Sequence, residues 1–139
     1  MDEKLSNRVK AELENIDEVF EEIPSYEKLP FLSTLELAGT AALLHNFYYG
    51  IENILKQIFK SKSIEIPEGK SSHKELIENA VRNKIISEKL KIILGEYLAF
   101  RHFFSHAYAF DLYANKMVPL VKNLKEVYSK FKKEIDSYL

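Results

Sequence analysis

Apolar side chains recur along this chain at steps of three and four, the spacing of one face of an α-helix. Leu5, Val9, Leu13, Ile16, Phe20 and Ile23 mark a first amphipathic helix over residues 3–23. Pro24 and Pro30 punctuate a short linker, IPSYEKLP. Ser33 then caps a long second helix, and Glu36 three residues later supplies the other half of a capping box. Its apolar positions run from Leu35 through Ala38, Leu44, Phe47, Tyr48, Ile51, Ile54 and Leu55 to Phe59. After a loop containing Pro67 and Gly69, Ser71 or Ser72 opens a short helix, with Glu75 completing a possible second capping box. Asn83 and Lys84 mark a turn, and a fourth helix starts near Ser87 with Leu90, Ile93, Leu94, Tyr97 and Leu98. The pattern pauses around Ala109–Asp111 before a last helix bearing Leu120, Val121, Leu124, Tyr128, Phe131 and Ile135. Asp111 is a possible cap there, which puts Pro119 inside the helix, so the helix either kinks at the proline or starts nearer Asn115. The expectation is an all-α, antiparallel bundle of four to five helices forming one domain over residues 1–139.

Composition narrows the chemistry. The 139 residues include no cysteine, which excludes disulfides, thiolate metal sites and a cysteine nucleophile. No apolar run reaches the roughly 20 residues of a membrane span, and the charged N-terminus lacks a signal-peptide core. A soluble, cytoplasmic protein with no membrane association is the expectation. Formal net charge is −1, unevenly placed: residues 1–36 hold ten acidic against four basic side chains, and the remainder sixteen basic against eleven acidic. That asymmetry permits a basic face for a polyanion, although a solvated helix surface is the blander reading.

Two stretches depart from the apolar pattern. In the second helix His45, Tyr49, Glu52 and Lys56 fall at steps of four, three and four, a polar stripe that lines a cleft, meets a partner or faces solvent. In the fourth, extending Leu90, Ile93 and Tyr97 by further steps reaches Arg101, Phe104 and Tyr108 within RHFFSHAY. Arg101 thus occupies a position the pattern reserves for an apolar side chain. A guanidinium keeps its charge and is costly to bury unpaired, so it snorkels to water, pairs with a carboxylate such as Glu52, or meets a phosphate. His102 and His106 are four apart, a spacing that suits a metal, but no third ligand is apparent and no metal is expected. Arg101 and His106 lie about 140° apart around an ideal helix. Sharing one substrate therefore requires a break in the helix or a second copy of the chain. Chemically, a histidine moves a proton near neutral pH, and an arginine's fork matches phosphate oxygens.

R-x4-H-x-Y, here Arg101, His106 and Tyr108 with the polar His102 after the arginine, resembles the signature of HEPN-domain ribonucleases. The H-x-Y extension is similar to the HepT-like toxins, partners of minimal nucleotidyltransferase (MNT) antitoxins. LLHNFYYGIENILKQIF looks like that family's long second helix, and SSHKELIENA like its post-loop helix. The resemblance spans roughly residues 5–137 and implies a HEPN-like bundle. It further implies a homodimeric, metal-independent endoribonuclease toxin that needs no cofactor and acts on an RNA substrate. The RNA's own 2′-OH would attack the adjacent phosphate, with His106 as general base or acid and Arg101 stabilising the phosphate. His102 and Ser105 would support them, two motifs would face one cleft, and Tyr108 would be the tyrosine that an MNT-type antitoxin modifies with AMP. The alternative is a non-catalytic HEPN-like module that binds a nucleotide or a nucleotidyltransferase partner. A plain structural bundle leaves Arg101 without a cause, and the acidic pairs of a metal-dependent phosphohydrolase are not evident.

Overall fold

The computed structural model describes every residue from Met1 to Leu139. Five α-helices form: α1 Glu3–Glu22, α2 Thr34–Ser61, α3 Ser72–Arg82, α4 Glu88–His106 and α5 Ala114–Ile135. Short 3-10 turns occupy Tyr26–Phe31, Ala109–Asp111 and Asp136–Tyr138, and there is no strand. The all-α bundle expected from periodicity is what the chain adopts.

The helix starts follow local hydrogen-bond chemistry. Asp2 accepts the Leu5 amide at 2.8 Å, and Ser33 and Glu36 form the reciprocal capping box, at 3.1 and 3.0 Å. Ser87 accepts the Leu90 amide at the start of α4. The second expected box is absent: Ser71 holds the cap position of α3 and its side chain caps nothing. Nor does Asp111 cap α5. Its carboxylate instead accepts the Tyr108 amide at 3.3 Å inside the 3-10 turn, and α5 begins at Ala114 and continues through Pro119. Pro119 has no amide to donate to the Asn115 carbonyl four residues back, so the helix continues past it with that bond missing. The Tyr97 hydroxyl donates to the Leu120 carbonyl at 2.7 Å, tying α5 to α4 beside the proline.

Contacts between helices give their directions. From α1 to α2, Glu12 meets Asn53, Ile16 meets Gly50 and Phe20 meets Phe47, so one helix ascends as the other descends. From α2 to α4, His45 faces Phe104 and Phe47 faces Tyr97. From α4 to α5, Ser87 meets Glu134 and Tyr97 meets Leu120. Each of these pairs is antiparallel. Thirty buried apolar residues from all five helices and their connections make one continuous core. Phe47 sits at its centre, with the rings of Tyr97, Phe20 and Tyr128 5.5–6.3 Å away. The linker between α1 and α2 joins that core through Leu29, which is fully buried.

Gly50 marks a close approach of α1 to α2. A methyl group there would come within 2.7 Å of Cγ1 and 2.8 Å of Cδ1 of Ile16, a side chain that is itself buried. Gly50→Ala is expected to lower stability by about 1–2 kcal/mol, overpacking outweighing the gain in helix propensity. Adding Ile16→Ala should bring a positive coupling in a double-mutant cycle measured by urea denaturation.

At the other end, the Glu134 carboxylate accepts the Ser87 amide at 2.6 Å and its hydroxyl at 2.8 Å, with Lys130 at 3.1 Å. Burial pushes this carboxyl up, but the Ser87 hydrogen bonds and Lys130 outweigh it and hold it below the usual range. A depressed carboxyl stabilises the fold above its unfolded value, and that contribution disappears as pH falls through the lowered folded value. Glu134→Gln should therefore cost about 1–2 kcal/mol at pH 7 and show a flatter stability profile than wild type under acid.

Candidate functional site

α4 carries chemistry on two of its faces, and the helix is unbroken from Glu88 to His106. The local break that would bring Arg101 and His106 together in one chain does not occur. Ala107 turns to extended backbone, so Tyr108 leaves the stripe that its spacing suggested and projects from the following turn.

His102 and His106 share the outer face. Their rings lie 4.8 Å apart, edge to face, and both are exposed. They line an open groove of about 480 Å³ together with Phe103, Asp111, Tyr113 and Lys116. The Lys116 ammonium stands 3.7 Å over the Phe103 ring, which holds one positive charge at the groove. No three His, Asp or Glu side chains come together as a metal-ligand set. The Ser105 hydroxyl donates to the His102 carbonyl at 3.0 Å, so in one chain it serves the helix backbone rather than either imidazole. Tyr108 is 70% exposed and stacks nearly parallel on Phe110 with centroids 5.4 Å apart.

Arg101 lies on the inner side, against α2. It is half-buried, its Nε is fully enclosed without a hydrogen-bond partner, and no carboxylate lies within 4.0 Å. The pairing with Glu52 that sequence allowed is therefore not made. Glu52 is only 2% exposed and accepts instead from His73 Nδ1 of α3, at 2.8 and 3.0 Å from its two oxygens. The Tyr48 hydroxyl is buried near that carboxylate without hydrogen-bond geometry, and burial together with the Glu52 charge pushes the phenol far up.

The polar stripe of α2 thus divides. Tyr49 is exposed, Glu52 turns inward to α3, and His45 is half-buried between them and α4. The His45 ring lies 5.4 Å from Phe104 and 6.5 Å from Tyr49. Burial and then the Arg101 charge push His45 down, opposed by Glu52 and reinforced by His73. At the α2–α3–α4 junction the structure therefore gathers Arg101, His45, Glu52, Tyr48 and His73, and places His102 and His106 on a separate face. Two of these escape a reading by periodicity. Tyr48 falls on the apolar stripe of α2, and His73 sits in the first turn of a short helix whose spacing reveals nothing about its partner. A buried acid such as Glu52 needs a partner, and a search for one was the available signal.

A model of the family described as HepT-like protein matches residues 39–139, which takes in α2 from its sixth residue onward and α3 to α5, and leaves α1 outside. Searches of the curated proteins and of the solved structures gave no match.

Removing either member of the Glu52–His73 pair has unequal consequences. Without Glu52, the half-exposed imidazole is solvated; without His73, a buried carboxylate loses its donor. His73→Ala is expected to cost about 3 kcal/mol and Glu52→Gln about 1 kcal/mol, read from urea denaturation at neutral pH.

Proposed function

The chain belongs to the HepT-like family, and on that premise we propose that it is the toxin of a toxin–antitoxin pair, a metal-independent endoribonuclease. The observation that carries the reading is Arg101: a half-buried guanidinium with no carboxylate partner, at the arginine position of R-x4-H-x-Y. Such a cation calls for an anion from outside the chain, and its fork suits a phosphodiester.

In this mechanism the 2′-OH of the RNA attacks the adjacent phosphorus, the P–O5′ bond breaks, and a 2′,3′-cyclic phosphate and a 5′-OH result. A proton must leave the 2′-OH and another must reach the departing 5′-oxygen. His106 performs one of these transfers, being exposed and beside an open groove. Arg101 holds the non-bridging oxygens as charge builds on them. His102 lies beside His106 and orients it or the substrate, and Ser105 supports the helix end that carries both. Because α4 is continuous, Arg101 and His106 of one chain point to different faces. A homodimer in which the arginine of one protomer meets the histidine of its partner completes the cleft. Tyr108, 70% exposed, is the residue that an MNT-type nucleotidyltransferase antitoxin would modify with AMP. The added anion would then occupy the position RNA needs.

Purified protein in EDTA is expected to cleave labelled RNA, with loss of about 10²-fold or more in His106→Ala and Arg101→Ala. Mixing the two inactive variants in equal amounts should recover about a quarter of the wild-type rate. Half of the dimers are then mixed, and each of those has one intact cleft of two. Cleavage unchanged in both variants removes the assignment. Absence of cleavage with retained binding of an MNT-type partner favours the non-catalytic module.

A further inference from the structure

Besides Arg101 Nε and the Tyr48 hydroxyl, the junction of α2 with α4 contains a further unpartnered polar group, the His45 imidazole. The side-chain hydrogen bonds of α2 are made by Glu36, Thr40, Glu52, Asn53 and Ser61, and none involves His45. Its ring is half-buried against Phe104, three residues along α4 from Arg101 and so on the same side of that helix. Burial, joined by the Arg101 charge, pushes the His45 imidazole down. The one carboxylate in the neighbourhood, Glu52, is engaged by His73 on both oxygens. His45 of α2 and Arg101 of α4 therefore share this junction, both half-buried, and neither has a hydrogen-bond partner on its imidazole or Nε within the protein. Buried or half-buried polar groups ordinarily find a partner. A ligand that accepts hydrogen bonds from both would satisfy the pair.

We propose that His45 and Arg101 of the same chain form a two-point phosphate site, Arg101 supplying a permanent charge and His45 a proton taken from solvent as the anion docks. The proposal rests on the reading of Arg101 as a phosphate-binding residue and adds to it a residue of α2 that touches the same phosphate. In the free protein, burial and the neighbouring guanidinium favour the neutral ring; Glu52 alone among the facing groups favours the charged one, while His73 and Arg101 oppose it. A phosphodiester carries one negative charge and reverses that balance at close range. No bond breaks in the step: solvent gives up one proton, His45 Nδ1 or Nε2 gains it, and the imidazolium donates to a non-bridging oxygen. Phosphate binding at this site is thereby coupled to proton uptake. His106, on the other face of α4, has no part in it.

The probe is a short 2′-O-methyl oligoribonucleotide, which has the phosphates of RNA but no free 2′-OH and so is not cleaved. The His45 imidazole is followed by NMR through a pH titration, its signal assigned by its loss in His45→Gln. The expected result is an upward shift of its titration midpoint on adding the probe to the wild type. His45→Gln should bind the probe about tenfold or more weakly at pH 6, with a difference that narrows as pH rises and helical circular dichroism unchanged. Arg101→Ala should abolish binding. If the probe binds and depends on Arg101, while the His45 midpoint stays still or His45→Gln binds as wild type does, the two-point site is overturned and the phosphate reading of Arg101 stands. If the wild type does not bind the probe, or Arg101→Ala binds it equally, both fall together.

Discussion

Burial of α2 is the constraint on which the rest of this bundle depends. Twelve of its twenty-eight residues are buried, and α1, α3, α4 and α5 all pack on it. A helix enclosed on so many sides has little room for a polar face. It must be apolar around most of its circumference, and any polar residue it carries inside must find a partner on another helix. The narrow approach at Gly50 lets α1 lie close on one side. Phe47 fills the space that α1, α4 and α5 leave at the centre.

Glu52 is where that constraint meets chemistry. Its carboxylate is almost wholly removed from water and is held by an imidazole from α3 rather than by the nearby guanidinium from α4. The choice has an electrostatic consequence. Had Glu52 paired with Arg101, the arginine would be neutralised and its fork filled, leaving nothing for an external anion. With His73 as donor, Glu52 is satisfied and Arg101 keeps both its charge and an open coordination, a state a half-buried cation keeps only at a free-energy cost. A buried donor left without a partner calls for an explanation, and an external anion would supply one. The proposed phosphate contact would give that donor its partner.

Helical geometry separates the remaining groups. Five residues on an unbroken α4 turn His106 away from Arg101, toward a groove with His102 and Lys116. The proposed catalytic pair is thus divided between two faces of one helix, and the proposal of a two-chain cleft follows from that division rather than from any contact within the chain. His45, by contrast, approaches Arg101 from α2 within the same chain. Each cleft would then take its phosphate contacts from one protomer and its exposed imidazole from the other.

Much of the fold could be read directly along the chain, because helix boundaries and buried stripes are local properties. The step of three and four residues placed α1 over 3–23 against an observed Glu3–Glu22, and the Ser33–Glu36 box marked the start of α2. The anomaly of Arg101 was equally legible, since an arginine on an apolar stripe is a contradiction within a single helix. Where local chemistry offered two equivalent choices, it misled. Asp111 was available as a cap for α5 but its carboxylate went to the Tyr108 amide, and the serines before α3 made no cap at all. What sequence by itself determined was the set of helices and the identity of the misfit cation. Which partner satisfies Glu52, which imidazole stands beside Arg101, and that His106 faces elsewhere were decided only by tertiary structure. Those outcomes depend on how α3 and α4 dock against α2, and pairings between residues twenty to sixty positions apart leave no trace in local periodicity.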